Sequence, residues 1–73
     1  MPRSSLRSLI SDRQLVILSL LAQGGTDRDI AGELGISDRQ VRREVDTLKG
    51  LLDAKGRFQL AVKAERAGLI PRG

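Results

Sequence analysis

The sequence has no cysteine, histidine, tryptophan or tyrosine, and a single phenylalanine among its 73 residues. Without cysteine there is no disulfide framework, and without cysteine or histidine the usual structural metal sites cannot be built. With no His, no Cys, no glycine-rich phosphate loop and no concave architecture to enclose a substrate, an enzyme is not expected. No cofactor or metal is called for. The longest apolar run, Leu15 to Leu18, is far below the roughly 20 residues a membrane-spanning helix needs. Residues 1–8 are basic, but no hydrophobic region follows them before Asp12 and Arg13, so no signal peptide is expected.

What is present is charge. Thirteen Lys and Arg against nine Asp and Glu give +4. A basic domain of this size favours a polyanionic partner. The length allows one domain, whose core is small because a chain this short buries only roughly 60% of its unfolded surface. We divide the chain into a flexible basic arm, residues 1–9, and a folded unit, residues 10–73.

That unit reads as four helical segments with short links, an all-α class with no strand. The first, Asp12 to Gln23, starts from Ser11, with Gln14 completing a capping box. It is apolar nearly all round (Leu15, Val16, Ile17, Leu18, Leu20, Leu21) and therefore belongs in the centre. Gly24-Gly25 ends it. The second, Asp27 to Leu34, is capped by Thr26 with Asp29 at the box position, and Gly35 follows as a left-handed C′ residue. The third runs from Asp38 to Leu52 after Ser37, with Gln40 completing its box. At 100° per residue, Val41, Val45, Leu48 and Leu52 form one narrow stripe, and Arg39 and Arg43 point away from it. Gly50 weakens its far end by about 1 kcal/mol relative to alanine. The fourth, Arg57 to Ala67, puts Leu60, Ala61 and Ala64 on one side and Phe58, Val62 and Leu69 on another.

Segments two and three meet through Gly35-Ile36-Ser37, the short helix, glycine turn and second helix of a helix-turn-helix. Ala31 is small enough to let the pair approach, and Ile30, Leu34, Ile36 and Val41 supply a shared core. The second helix of such a pair enters the DNA major groove by its N-terminal half, here DRQVRRE. Arginine forks match guanine and phosphate. The bland alternative is a solvated face, with Asp38, Glu44 and Asp46 neutralising the arginines at i, i+3 or i, i+4.

With these residues in place, the sequence resembles the LuxR-type helix-turn-helix of bacterial transcription regulators. ISDRQLVILSLLAQG stands where that family has its opening helix, TDRDIAGELGIS its second helix and turn, SDRQVRREVDTL its recognition helix, and RFQLAVKAERAGLIP its closing helix. The resemblance implies double-stranded DNA as partner, a cytoplasmic place on the nucleoid, and RNA polymerase or a regulatory protein as a further partner. It places Gln40, Arg42, Arg43 and Asp46 toward DNA and Arg28 toward phosphate. With the residues around them, the expected DNA-binding set is Arg28, Ser37, Arg39, Gln40, Arg42, Arg43, Asp46 and Thr47. Many members of the family dimerise through helix four, so Phe58, Val62 and Leu69 are expected at a two-fold contact. The opposing expectation is that the lone phenylalanine belongs to the core.

Four departures stand out. Gln40 replaces a usual Thr, Glu44 a frequent His, Gln14 and Val16 two acidic residues, and Asp53 a usual Gly. Asp46, four residues from Arg42 and three from Arg43, is expected to orient one of them. Two rivals remain: region four of a sigma factor, and a protein-interaction module that keeps the fold without binding DNA. No signal-sensing domain fits in 73 residues. Control is therefore expected through the protein's level, through a partner, or through a larger regulator of which this is a piece.

Overall fold

A computed structural model describes residues 7–71. Most of the arm expected over 1–9 thus lies outside the described residues. Arg7 and Ser8 are helical and turn into Ile10, whose N–H donates to the Arg7 carbonyl at 3.2 Å. Four longer helices follow: α1 Asp12–Ala22, α2 Asp27–Leu34, α3 Asp38–Leu52 and α4 Arg57–Arg66, with no strand among the described residues. The unit measures 33 × 22 × 21 Å.

The first three helices start as their sequences dictate. Ser11, Thr26 and Ser37 each accept the N–H of the residue three on, at 3.1 Å, and Gln14, Asp29 and Gln40 accept the cap N–H in return. The Thr26 N–H, and after it the Thr26 hydroxyl, hold the Asp29 carboxyl below its ordinary pKa. α4 starts differently: Gly56 has no side-chain cap bond, and Gln59 instead accepts the Lys55 N–H at 2.7 Å.

Helix ends fall one residue earlier than expected at α1 and α4, because the closing bonds come sooner. Gly24 (φ +89°) lets the Gly25 N–H return to the Leu20 carbonyl at 2.9 Å. Ala67 caps α4, and the Leu69 N–H reaches Ala64 at 3.0 Å. Gly35 has φ +67°, and beyond it the Ile36 N–H bonds the Ala31 carbonyl at 3.1 Å. Asp53 takes the left-handed conformation (φ +54°) where the resemblance expects glycine. The Ala54 N–H then closes α3 on Lys49, and the Lys63 ammonium donates to the Asp53 carbonyl at 2.5 Å, so flanking bonds hold a conformation that L-residues other than Asn and Asp seldom adopt.

One core joins all four helices: Ile17, Leu18 and Leu21 of α1, Ile30 and Ala31 of α2, the Val41-Val45-Leu48-Leu52 stripe of α3, and Leu60 and Ala64 of α4. Ile10, Ala54 and Ile70 from the connections complete it. Val16 departs from the expectation for a central helix and is 43% exposed.

Candidate nucleic-acid interface

α2 packs directly on α3, with Leu34 and Ile36 partly buried against the shared core. Because the apolar residues of α3 recur every three or four positions, burying that stripe leaves the opposite side of the helix in water. All eight residues expected to face DNA are exposed: Arg28 on α2, Ser37 at the turn, and Arg39, Gln40, Arg42, Arg43, Asp46 and Thr47 on α3.

Their neighbours differentiate them. Gln40 spends its amide oxygen on the Ser37 N–H at 3.0 Å, while its NH2 makes no bond among the described residues. A bidentate reading of adenine needs both ends of a glutamine, so in this arrangement Gln40 offers donors alone. Arg42 leans toward α2, its Nε 3.8 Å from the Asp27 carboxylate, which also receives the guanidinium of Arg57. α2 and α4 have no close backbone contact, and this ion pair ties their first residues together. Arg43 borders a cleft of about 300 Å³ that it shares with Gln40, Glu44, Thr47 and Arg13 of α1.

The orienting role expected of Asp46 is not what the structure gives. Its carboxylate sits 3.4 Å from the Lys49 ammonium instead of engaging Arg42 or Arg43. An acid preceding a base along a helix is the favoured order, and Arg42 is drawn off by Asp27. Glu44 turns inward to α1. Its Oε1 accepts from the Gln14 amide at 3.3 Å, and its Oε2 lies 3.9 Å from Arg13. Two of the sequence's departures therefore meet. Gln14 caps α1 with its oxygen and donates to Glu44 with its nitrogen, whereas an acidic residue there would face Glu44 with like charge. Spacing along a single helix carries no sign of this pairing, nor of the Asp27–Arg57 bridge. The joint change at positions 14 and 44 was its one trace in the sequence.

The residues expected at a dimer contact separate. Phe58 is 84% exposed, which removes it from the core. Val62 is half-buried, and with Phe58 it borders a cleft of about 390 Å³ against Leu21, Gly24 and Gly25. Leu69 packs on the core instead.

Comparison with known proteins places this geometry. Residues 8–64 match the family model of bacterial regulatory proteins of the luxR family. The spore germination protein GerE of Bacillus subtilis is 36% identical over 62 residues, covering 85% of this chain and 84% of GerE. The bialaphos biosynthetic pathway regulatory protein of Streptomyces hygroscopicus is 44% identical over 61 residues, 84% of this chain but 24% of that protein. The transcriptional regulatory protein LiaR of Bacillus subtilis is 36% identical over 61 residues, again 84% of this chain and 29% of LiaR. The chain thus spans about a quarter of the bialaphos regulator and under a third of LiaR, but most of GerE.

Proposed function

The chain belongs to the luxR family of bacterial regulatory proteins, and from that premise we propose that it binds double-stranded DNA sequence-specifically as a transcription regulator, working in the cytoplasm at the nucleoid. The observation that carries this reading is the division of α3. Val41, Val45, Leu48 and Leu52 are buried while Arg39, Gln40, Arg43 and Thr47 stand in water on its other side. A helix that merely needed solubility would not require that side to hold arginines that no carboxylate pairs. Neither Arg39 nor Arg43 is in an ion pair among the described residues.

In this reading α3 lies in the major groove. Arg39, Arg43 and the Gln40 NH2 reach base edges or flanking phosphates. Arg28, Ser37 and Thr47 hold the backbone. Arg42, its side chain 70% exposed, exchanges its loose 3.8 Å pairing with Asp27 for DNA. Asp46 either accepts from a cytosine amino group or stays with Lys49. Two copies dock through the Phe58–Val62 edge of α4, so that paired half-sites are bound together. RNA polymerase or a regulatory protein is the further partner that such a regulator requires.

Selection of bound sites from random duplexes tests the reading. A recurring sequence is the expected outcome, and a palindrome if two copies dock. With about four to six phosphates contacted per protomer, log K should fall against log salt with a slope of about −4 to −5. Failure to retain any duplex at about 50 mM salt, where charge contacts are strong, would defeat it.

A further inference from the structure

We propose that α1 also takes part, through Arg13, which with Gln40 and Thr47 of α3 forms a seat for one DNA backbone phosphate beside Arg43. The proposal rests on the DNA-binding reading and adds to it a residue outside the helix-turn-helix. Arg13 is the second residue of α1 and its side chain is half exposed. It borders the cleft of about 300 Å³ whose other walls are Gln40, Arg43, Glu44 and Thr47. Gln40, Arg43 and Thr47 recur at spacings of three and four along the exposed side of α3, so they share one line. The cleft therefore opens on the side proposed to meet DNA.

The chemistry of the walls fits an anionic oxygen cluster. The Arg13 guanidinium, the free NH2 of Gln40 and the Thr47 hydroxyl all donate, and the Arg43 guanidinium beside them adds positive charge while reaching for a base edge. Arginine is the side chain best matched to a phosphodiester, because its planar fork can bond two oxygens at once. Glu44 is the one acidic wall, and its carboxylate is already engaged: one oxygen accepts from Gln14 and the other faces Arg13. Its negative charge is thus directed at α1, where it keeps Arg13 beside α3 instead of loose in solvent. A 3.9 Å exposed pairing is weak. It can guide the Arg13 side chain without preventing the guanidinium from turning to a phosphate.

The test compares Arg13→Ala with Arg66→Ala. The second removes an equal charge from the exposed last residue of α4, which is not among the residues lining that cleft. Binding to a selected duplex and to random duplex is measured across salt concentrations, with helicity checked by circular dichroism. Losing one phosphate contact makes the log–log slope less negative by about 0.9, so the affinity deficit of Arg13→Ala should shrink by about threefold between roughly 50 and 200 mM salt. The loss should be alike on both duplexes. Arg66→Ala should keep the parent slope. If Arg13→Ala does not fold, Arg13→Gln keeps the aliphatic stem and serves in its place. A second readout replaces single phosphates by neutral methylphosphonates. One position per half-site should weaken the parent and Arg66→Ala clearly more than it weakens the Arg13 variant. A parent that binds while Arg13→Ala matches Arg66→Ala in slope and affinity overturns the role of Arg13 alone. The absence of any such methylphosphonate position does the same. A parent that binds no duplex overturns the DNA reading itself, and this inference with it.

Discussion

α1 and α3 pack against each other, yet they are made in opposite ways. α1 is apolar nearly all round and exposes four of its eleven residues; α3 is mostly polar and exposes nine of its fifteen. Even so α3 puts four residues into the core and α1 three. Spacing, not apolar content, decides what a helix contributes to packing. The surplus is what differs. On α1 it is apolar: Leu15 and Leu20 fill in around the core and Val16 is left over in water. On α3 it is charge, presented on a side that no other helix covers.

The sharpest way to break that comparison is to cut one stripe residue from each helix. Leu48 and Ile17 are both fully buried. Leu48→Ala and Ile17→Ala should each cost about 2–5 kcal/mol, enough to unfold much of a domain this small. Val16→Ala should stay within about 0.5 kcal/mol. Thermal unfolding followed by circular dichroism separates these cases. A Leu48→Ala protein that melts with the parent would show the sparse stripe to be dispensable.

The polar side of α3 can be probed without touching the fold. Arg43→Ala should lower affinity for a selected site by about 1–3 kcal/mol and leave random DNA less affected, as expected of a lost base contact. Arg28→Ala should weaken all sequences alike. Both variants should melt like the parent, since both residues are exposed. Equal losses on selected and random duplex for both would move Arg43 from base to backbone.

The four helices, their capping boxes and the left-handed Gly35 could be read from the sequence because each depends on residues three or four apart. The α3 stripe was legible for the same reason. What spacing hid lies between helices. Glu44 reaches back 30 residues to Gln14, and Arg57 reaches back 30 to Asp27. Ile10, Ala54 and Ile70 enter the core from connections that carry no period. Counting along one helix gives Asp46 the wrong basic partner because it ignores Asp27, a competitor on α2 that draws off Arg42. The position of Phe58 was open for a related reason. Its own helix offers two apolar sides, and which one is covered depends on where α1 lies.

A milder change tests whether α3 is held by its stripe or by its backbone. Gly50 is exposed and helical, and an added Cβ there meets nothing within 4 Å. Gly50→Ala should therefore stabilise the domain by about 0.8–1 kcal/mol. Because the position lies past the residues proposed to meet DNA, affinity for a selected site should be unchanged. A loss of affinity at full stability would mean that the end of α3 must flex on binding.

Little effect on stability is expected at the one aromatic side chain of the sequence. Were Phe58 a core residue, its truncation would cost about 3–5 kcal/mol. At 84% exposure it has little burial to lose, and Phe58→Ala should change stability by about 0.5 kcal/mol or less. Val62, one turn on, borders the same cleft, and both project from α4 on a side the core leaves uncovered. Exposing a phenylalanine is unfavourable unless something covers it, which is why we place a second copy there. Phe58→Ala and Val62→Glu should both keep parental helicity, and both should lose the added affinity for paired half-sites spaced by about 10 bp or a multiple. Single half-sites should still bind weakly. In that proposal α4 stands beside α3 as a second helix whose uncovered side meets a partner, protein in one case and DNA in the other. A folded Val62→Glu protein that holds paired sites as tightly as the parent would leave α3 alone in that role.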